Sequence, residues 1–265
     1  MRLFVIGAEG QVGTFLRRML PPEHEIAGTS LSGQPQLPAL DIRDAGAVRA
    51  AVRAAAPDHV VLTAAFTHVD GCERDPELAK AVNVLGAAHV AEACREHGAG
   101  MTFFSSEYVF DGADGPYGED DPPHPVSVYG RTKLEGENRV RELVPGALIV
   151  RTTVVYSYLP ESLNFFMQLL GRTSRGEPIT VPHDQIGNPT QAANLAQALG
   201  ELIAGGQKGV FNLVGTTRIG RADFARRVVS ALGHDPGRVT PVATADLKQP
   251  APRPLNGGLR TDKAQ

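Results

Sequence analysis

Short apolar runs alternate with helix-length amphipathic segments through the first 150 residues, and this alternation constrains the fold more than any other feature of the chain. The first run, Leu3–Ile6, contains no polar residue, which is typical of a strand buried on both faces of a parallel sheet. Similar runs begin near residues 24, 59, 101 and 147, and a helical pattern separates each from the next. Because such crossovers are right-handed, this order predicts an α/β fold with a doubly wound parallel sheet and helices on both faces.

The composition is that of a globular protein and argues against several classes of partner. Of the 265 residues, 42% are apolar and 21% are charged, and the net charge is only −3. This balance gives no reason to expect nucleic acid or an anionic membrane as partner. The two cysteines and eight histidines show no metal-ligand spacing, so no metal is expected. No apolar run is long enough to span a bilayer, and we expect a cytoplasmic protein.

A GxxGxxG pattern lies between the first predicted strand and a helical pattern over residues 11–20. Such a turn needs positive φ or absent side chains, and the free N–H groups of the following helix attract a pyrophosphate. Glycine triplets also occur in ordinary turns between a strand and a helix, so the position of this one after a strand is what makes it informative. We predict a Rossmann-type dinucleotide site in which five loop residues contact the cofactor: Gly7, Gly10, Gln11, Val12 and Gly13.

The regular alternation loosens after about residue 156. Helical patterns and short apolar runs continue at 162–175, 179–181, 190–204, 209–213 and 221–232. We therefore expect a dinucleotide-binding domain over residues 1–155 and mainly a smaller substrate-binding lobe over residues 156–265, partly interleaved with the main sheet.

The end of the second predicted strand bears on the choice between the two nicotinamide cofactors. In NAD sites an acidic residue there binds the ribose 2′-hydroxyl, whereas this chain reads Gly28-Thr29-Ser30. An uncharged turn does not repel a 2′-phosphate, and Arg17 or Arg18 on the first helix could approach one. The sequence therefore favours NADP(H), with Ser30 as a cofactor contact, and leaves NAD(H) open.

Three residues further along the chain form a predicted catalytic set. Tyr129 and Lys133 are four residues apart, so on a helix they lie on one face. A neighbouring ammonium favours a phenolate, so we expect Lys133 to lower the pKa of Tyr129 toward that of a working acid or base. Ser106 follows the apolar run at 101–104, at the sheet edge where open α/β sheets bind ligands. Taken alone, each of the three also fits an ordinary surface or turn residue.

Seven segments of the chain resemble the extended short-chain dehydrogenase/reductases, and more narrowly the dTDP-4-dehydrorhamnose reductase group. They are GAEGQVG (7–13), DIRD (41–44), TAAFTHVD (63–70), SSEYVFDG (105–112), PVSVYGRTK (125–133), DQIGNPT (184–190) and RPLNGGLRTDK (253–263). The glycine loop and the tyrosine–lysine pair define only the superfamily. The VFDG, DQIGNPT and RPLN stretches are much more specific to the group.

The resemblance implies NADPH-dependent reduction of the C4 ketone of a 4-keto-6-deoxy nucleotide-sugar. By this resemblance, Tyr129 protonates the ketone oxygen, Ser106 hydrogen-bonds the same oxygen, and Lys133 holds the nicotinamide ribose. It also implies cofactor contacts at five further positions: Asp41, Ile42, Ala64, Ala65 and Thr67. Glu107, which follows the catalytic serine, and Asn164 are the candidate substrate contacts.

Four residues depart from the pattern of the group. Glu107 replaces an aspartate, Thr63 an asparagine and Val154 a tryptophan near the sugar, which leaves the identity of the ketosugar open. Phe15 replaces a glutamate used there for a metal-linked dimer, so no magnesium is expected and a homodimer is left open. Two alternatives remain: an NADP-binding regulatory subunit resembling the beta subunit of methionine adenosyltransferase, and a related nucleotide-sugar epimerase or dehydratase.

Overall fold

Parallel strands form the central sheet of the protein, whose computed structural model describes residues 1–21 and 24–264. The strands are, in chain order, β1 Arg2–Ile6, β2 Glu25–Thr29, β3 His59–Leu62, β4 Gly100–Ser106, β5 Leu148–Thr152, β6 Val155–Tyr156, β7 Ile179–Pro182, β8 Ile186–Gly187, β9 Thr190–Gln191, β10 Gly209–Asn212, β11 Ile219–Gly220 and β12 Val239–Val242. The central sheet has the order β10-β5-β4-β3-β1-β2, and every pairing in it is parallel. The strand order reverses between β1 and β3, which confirms the predicted doubly wound sheet.

Helices connect these strands much as the sequence pattern predicts. They are α1 Gln11–Met19, α2 Ala45–Ala55, α3 Val69–Arg74, α4 Pro76–Lys80, α5 Ala87–His97, α6 Val128–Leu143, α7 Phe165–Ser174, α8 Ala192–Ala204 and α9 Arg221–Ala231. A π-helical turn at Ala81–Gly86 joins α4 to α5, so the long helix expected from Pro76 to His97 has a wider turn at its centre. Within the described residues, no helix is both long and apolar enough to cross a bilayer.

The core explains why the four residues Leu3–Ile6 of β1 are all apolar. Leu3 and Val5 pack on one face of the sheet, with α1 and α8, whereas Phe4 and Ile6 pack on the other, with α2 and α5. Both sets are almost completely buried. Because successive side chains of a strand point to opposite faces, a strand covered on both faces needs an apolar residue at every position.

The second half of the chain contributes to two cores. Helix α8 packs against α1, and β10 pairs with β5, so residues 192–212 complete the main sheet and one of its faces. In contrast, α7, β7, α9 and β12 surround a separate apolar core that includes Leu169 and Val229. The assignment of residues 1–155 to the cofactor and of residues 156–265 mainly to the substrate stays a prediction about function.

Candidate active site

A cavity of about 1250 Å³ opens at the carboxyl ends of the central strands. One wall consists of the loops after β1, β3 and β4, and the opposite wall comes from α7, α9 and the segment around Arg253. The cavity lies at the point where the strand order reverses, which is where open α/β sheets bind their ligands. The predicted catalytic residues and most of the predicted cofactor contacts line this one space: Gly7, Gly10, Gln11, Val12, Asp41, Ile42, Ala64, Ala65, Thr67, Ser106, Tyr129 and Lys133.

The glycine loop closes so tightly that side chains are excluded from it. Gly7 has a φ of +91°, and a Cβ added there would lie 2.7 Å from the amide nitrogen of Ala64. A Cβ on Gly13 would lie 2.5 Å from the carbonyl oxygen of Gly7, so Gly13 supports the loop from behind. The Gln11 Oε1 accepts a hydrogen bond of 2.9 Å from Ser162, while its buried Nε2 has no partner among the described residues. A narrow backbone turn with an unsatisfied donor at a helix N-terminus fits a pyrophosphate.

Three residues that the sequence placed near the adenosine ribose do not line the cavity: Ser30, Arg17 and Arg18. Ser30 is buried and turned away, since its hydroxyl donates to the carbonyl oxygen of Leu37 at 3.3 Å. Arg17 and Arg18 do not line the cavity either; the Arg18 guanidinium lies 5.8 Å from the centre of the Phe15 ring. Ser30, Arg17 and Arg18 are therefore left out of the proposed site.

Arg43 borders the cavity beside Asp41, and it was not among the residues predicted from the sequence. Its Nε donates to both carboxylate oxygens of Asp41, at 3.0 and 2.9 Å, and about half of the Arg43 side chain is exposed. This ion pair holds the pKa of Asp41 below its usual range. The signal was present, because Arg43 lies inside the DIRD segment whose first two residues were predicted to contact the cofactor.

Hydrogen bonds from two polar side chains, Thr63 and the buried Asn83, fix the loop after β3. The hydroxyl of Thr63 donates to the carbonyl oxygen of Gly7 at 2.9 Å, so this threonine fastens the β3 loop to the glycine loop. Asn83, in the π-helical turn, accepts from the Phe66 amide at 2.8 Å and donates to the Thr132 hydroxyl at 3.1 Å. Asn83 thereby links the loop after β3 to helix α6. The signal for it was a lone asparagine within an apolar stretch, and π-turns are frequent at functional sites.

Ser106, Tyr129 and Lys133 line the same cavity. Ser106 ends β4 and its hydroxyl accepts a hydrogen bond of 3.3 Å from the Tyr108 amide, while Tyr129 lies in the first turn of α6. Lys133 follows one turn later, and its Nζ lies 4.3 Å from the centre of the Phe103 ring. Gly130 allows this start of α6 to approach the β4 loop, because a Cβ there would lie 2.1 Å from the carbonyl oxygen of Tyr108.

The expected fall in the pKa of Tyr129 is wrong for this arrangement. Burial raises the pKa of Tyr129, and the hydrogen bond from Ser106 opposes this rise only in part. Burial also lowers the pKa of Lys133 to about 8, against the attraction of the Glu137 carboxylate, which raises it. The four-residue spacing predicted a shared helix face but not the loss of hydration, which outweighs the other contributions for both groups. The phenol of Tyr129 is therefore protonated at neutral pH.

Glu107 joins the segment after β5 to the C-terminal segment through hydrogen bonds. Its carboxylate accepts hydrogen bonds from the Thr153 hydroxyl and, at 2.8 Å, from the Gly258 amide. Burial raises the pKa of this carboxyl. A Cβ on Gly257 would lie 3.0 Å from its Oε2, so the C-terminal segment packs directly over it. Glu107 borders the cavity, but its oxygens already bind the protein.

Asn164 caps a helix instead of bordering the cavity. Its side-chain oxygen accepts from the Met167 amide at 3.2 Å, and its amide nitrogen donates to the Ser157 carbonyl oxygen at 3.0 Å. These bonds fix the first turn of α7 and occupy the amide. The structure therefore gives Asn164 a local role, and it does not enter the proposed substrate site.

Val154 and Phe15, the two apolar departures from the group, have different surroundings. Val154 lines the cavity with a φ of +41°, a conformation that is unfavourable for a β-branched residue and is found mostly at functional sites. Phe15 packs against the core shared by α1 and α8. Among residues 1–21 and 24–264, no group of three or more acidic, histidine or cysteine side chains could hold a metal ion.

Two arginines line the wall opposite the catalytic residues. Arg253 donates to Asp70 at 2.9 Å, in an ion pair that is largely buried. Arg221 lies over the ring of Phe165, 4.1 Å from its centre, and no described carboxylate comes within 4.0 Å of its guanidinium. Burial lowers the pKa of Arg221. A half-buried cation without an anionic partner favours a ligand that carries negative charge.

Comparison with known proteins shows the family to which this chain belongs. The family profile described as RmlD substrate binding domain matches residues 1–265. A dTDP-4-dehydrorhamnose reductase from Sinorhizobium fredii is 36% identical, over 100% of this chain and 90% of that one. A probable low-salt glycan biosynthesis reductase, Agl14, from Haloferax volcanii is 35% identical over 98% and 89% of the two chains. The solved dTDP-4-dehydrorhamnose reductase from Bacillus anthracis, in complex with NADP, is 31% identical, with a TM-score of 0.92 over 99% and 91% of the two chains. The chain therefore belongs to the RmlD substrate-binding-domain family.

Proposed function

We propose that this protein reduces the C4 ketone of a 4-keto-6-deoxy nucleotide-sugar with NADPH. The observation that carries the proposal is that Ser106, Tyr129 and, one turn later, Lys133 line the same cavity as the glycine loop. Two relatives that match this chain over about nine-tenths of their own length are named as reductases, and the solved structure of a third relative contains NADP. Neither a regulatory subunit nor an epimerase or dehydratase is favoured by a specific contact in the site.

The cavity fits a nicotinamide dinucleotide along its length. The backbone turn at Gly7 and the unpaired Nε2 of Gln11 suit the pyrophosphate, and the Arg43 guanidinium suits a 2′-phosphate. Ala64 and Ala65 leave an apolar wall between the two ends. When bound, the cofactor supplies a hydride to the carbonyl carbon of the substrate.

The protein side of the reaction consists of orientation and one proton. The Ser106 hydroxyl donates a hydrogen bond to the ketone oxygen, on which negative charge develops. Tyr129, protonated because burial raises its pKa, gives its proton to that oxygen and becomes a phenolate. The ammonium of Lys133 then stabilises the phenolate, because an opposite charge nearby favours the ionised form.

The opposite wall suits the nucleotide part of the substrate. Arg221 is a half-buried cation with no carboxylate within 4.0 Å among the described residues, and Arg253 lies on the same wall. Two guanidinium groups facing one cavity are the donors expected for a diphosphate. This placement would put the sugar between the diphosphate and the Ser106–Tyr129 pair.

Assays of the purified protein with a panel of dTDP-4-keto-6-deoxy sugars would test the proposed function. The oxidation of NADPH is followed at its absorbance band, and the sugar product is identified by NMR. We expect turnover of at least one ketosugar with reduction at C4. Binding of NADP without turnover of any member of the panel would contradict an enzymatic role and favour regulation of a partner. Release of an epimer or a dehydrated sugar without net oxidation of NADPH would favour the epimerase or dehydratase alternative.

The rate of reduction should fall as the pH rises through about 8. Lys133 loses its charge near that pH, whereas Tyr129 stays protonated because its pKa is raised above the usual value of a phenol. Without the ammonium, the phenolate left by proton transfer is no longer stabilised. We expect kcat for the best ketosugar to decrease about tenfold per pH unit above this midpoint, as one ionisation requires.

Lys133→Arg is the matched control for this pH dependence. An arginine stays protonated across the range, so the variant should be slower but flat from pH 7 to pH 9.5. A flat profile in the natural enzyme, or the same fall in the variant, would show that another group titrates.

Replacement of Arg221 by glutamine should weaken substrate binding. A charge-assisted hydrogen bond contributes about 1.5–3 kcal/mol, so KM for the nucleotide-sugar is expected to rise about 10- to 100-fold. The value of kcat and the KM for NADPH should change much less. Arg226→Gln is the control, because Arg226 lies on the same helix, outside the cavity, and pairs with Asp223 at 3.0 Å. A KM within twofold of the natural enzyme in Arg221→Gln would place the diphosphate elsewhere.

A further inference from the structure

The end of β2 has no acidic residue, but the carboxylate of Glu9, from the glycine loop, lies beside it. The amide nitrogen of Leu31, two residues past the end of β2, donates to Glu9 Oε1 at 2.9 Å. We propose that Glu9 binds the 2′-hydroxyl of the adenosine ribose in NADH and thereby narrows the preference of this protein for NADPH. The proposal rests on the proposed function, because it concerns the cofactor end of the same cavity.

The second carboxylate oxygen of Glu9 is available for a ligand. Glu9 lines the cavity, and its Oε2 is buried without a hydrogen-bond partner among the described residues. The backbone of the residue is held by a bond of 3.3 Å from the Thr14 hydroxyl to the Glu9 carbonyl oxygen. A buried acceptor without a partner destabilises the free protein, and a ribose hydroxyl would satisfy it.

Known dinucleotide sites place such a carboxylate on the second strand, where it accepts the ribose 2′-hydroxyl. In this chain Ser30 is turned toward Leu37, so the end of β2 offers no acceptor to the cavity. Glu9 reaches the same position from the first loop, since β1 and β2 are adjacent and their ends are in register at Ile6 and Thr29. The carboxylate that the sequence of β2 lacks is therefore supplied from the preceding loop.

The charges around this position reduce the advantage of a 2′-phosphate over a hydroxyl. Of the ionised side chains that line this end, Glu9 and Asp41 are negative and Arg43 is positive, which leaves one net negative charge. Arg43 is also engaged by both oxygens of Asp41. A phosphate placed beside Glu9 meets like charge, whereas a neutral hydroxyl donates to it. Both cofactors can be bound, with Arg43 serving the phosphate and Glu9 the hydroxyl.

The test is equilibrium binding of NADPH and NADH to the full chain, followed by nicotinamide fluorescence, with no sugar present. In the natural protein we expect a Kd for NADH no more than about tenfold above that for NADPH. Glu9→Gln keeps an oxygen for the Leu31 amide but removes the charge, and it should widen the Kd ratio in favour of NADPH by about tenfold. Glu9→Ala should move the ratio in the same direction.

Glu135→Gln is the matched control, because Glu135 is exposed on α6 and does not line the cavity. It removes the same charge and should leave the ratio unchanged. The proposal is overturned if Glu9→Gln changes the ratio by threefold or less, if the ratio moves toward NADH, or if Glu135→Gln moves it equally. Binding of neither nucleotide would overturn this proposal and the proposed function together. Nucleotide binding without turnover of any ketosugar would contradict only the proposed function, because the ratio is read without substrate.

Discussion

Replacement of Tyr129 by phenylalanine is expected to lower kcat for ketosugar reduction by about 10²- to 10⁴-fold, the range attributed to a positioned acid or base. Phenylalanine keeps the ring, which packs edge-on against Tyr108 with 5.4 Å between ring centres. It removes the phenol hydroxyl, and with it the proton for the developing alkoxide. The measurement is NADPH oxidation under saturating ketosugar, with the product checked by NMR.

Two controls separate loss of chemistry from loss of structure. Tyr129→Phe should bind NADPH with nearly the affinity of the natural protein, because the phenol contributes little to the pyrophosphate and adenosine ends of the cavity. Tyr158→Phe makes the same chemical change at a side chain that is 68% exposed, and its kcat should be unaltered. A Tyr129→Phe variant that keeps kcat within threefold of the natural enzyme would mean that the proton comes from another group.

The fold and the family could be predicted from the sequence because both depend on local patterns. Apolar runs report strands covered on both faces, and a strand followed by glycines reports a close backbone approach at Gly7. Ser106, Tyr129 and Lys133 were found because strand ends and helical spacing place them without knowledge of distant contacts. Their roles in catalysis remain predictions that the assays above address.

The remaining parts of the site depend on which distant segments meet, and spacing does not report that. Asn83 bonds to Phe66 and Thr132, and Arg221 was proposed as a ligand contact because no carboxylate among the described residues forms an ion pair with it. The local bonds of Ser30 and Asn164 could not be predicted for a related reason, since small polar residues serve turns and helix caps as well as ligands. The pKa of Tyr129 was predicted in the wrong direction because burial is a property of the folded chain.

Breaking the ion pair between Glu137 and Arg151 should have the largest effect on stability. Both side chains are almost completely buried, and two bonds of 3.0 and 2.8 Å join the guanidinium to the carboxylate. Removal of one partner leaves the other charge buried, so Arg151→Met is expected to lower the free energy of unfolding by about 3–5 kcal/mol. Arg139→Met is the control, because Arg139 lies on α6, the helix that carries Glu137. Its pair with Glu142 is largely exposed, and its loss should cost about 0–1 kcal/mol.

Urea denaturation of the three proteins gives these differences, and a loss below about 1 kcal/mol in Arg151→Met would contradict the assignment of the pair as a buried ionic contact.

The double variant Glu137→Leu/Arg151→Met separates stability from catalysis. Replacing both charges by apolar side chains is often neutral, so it should recover most of the lost stability. The carboxylate of Glu137 raises the pKa of Lys133, so its removal should move the alkaline limb of the rate profile below pH 8. An unshifted limb in the double variant would show that the pair only stabilises the fold; a shifted limb would show that the same pair keeps Lys133 charged at neutral pH.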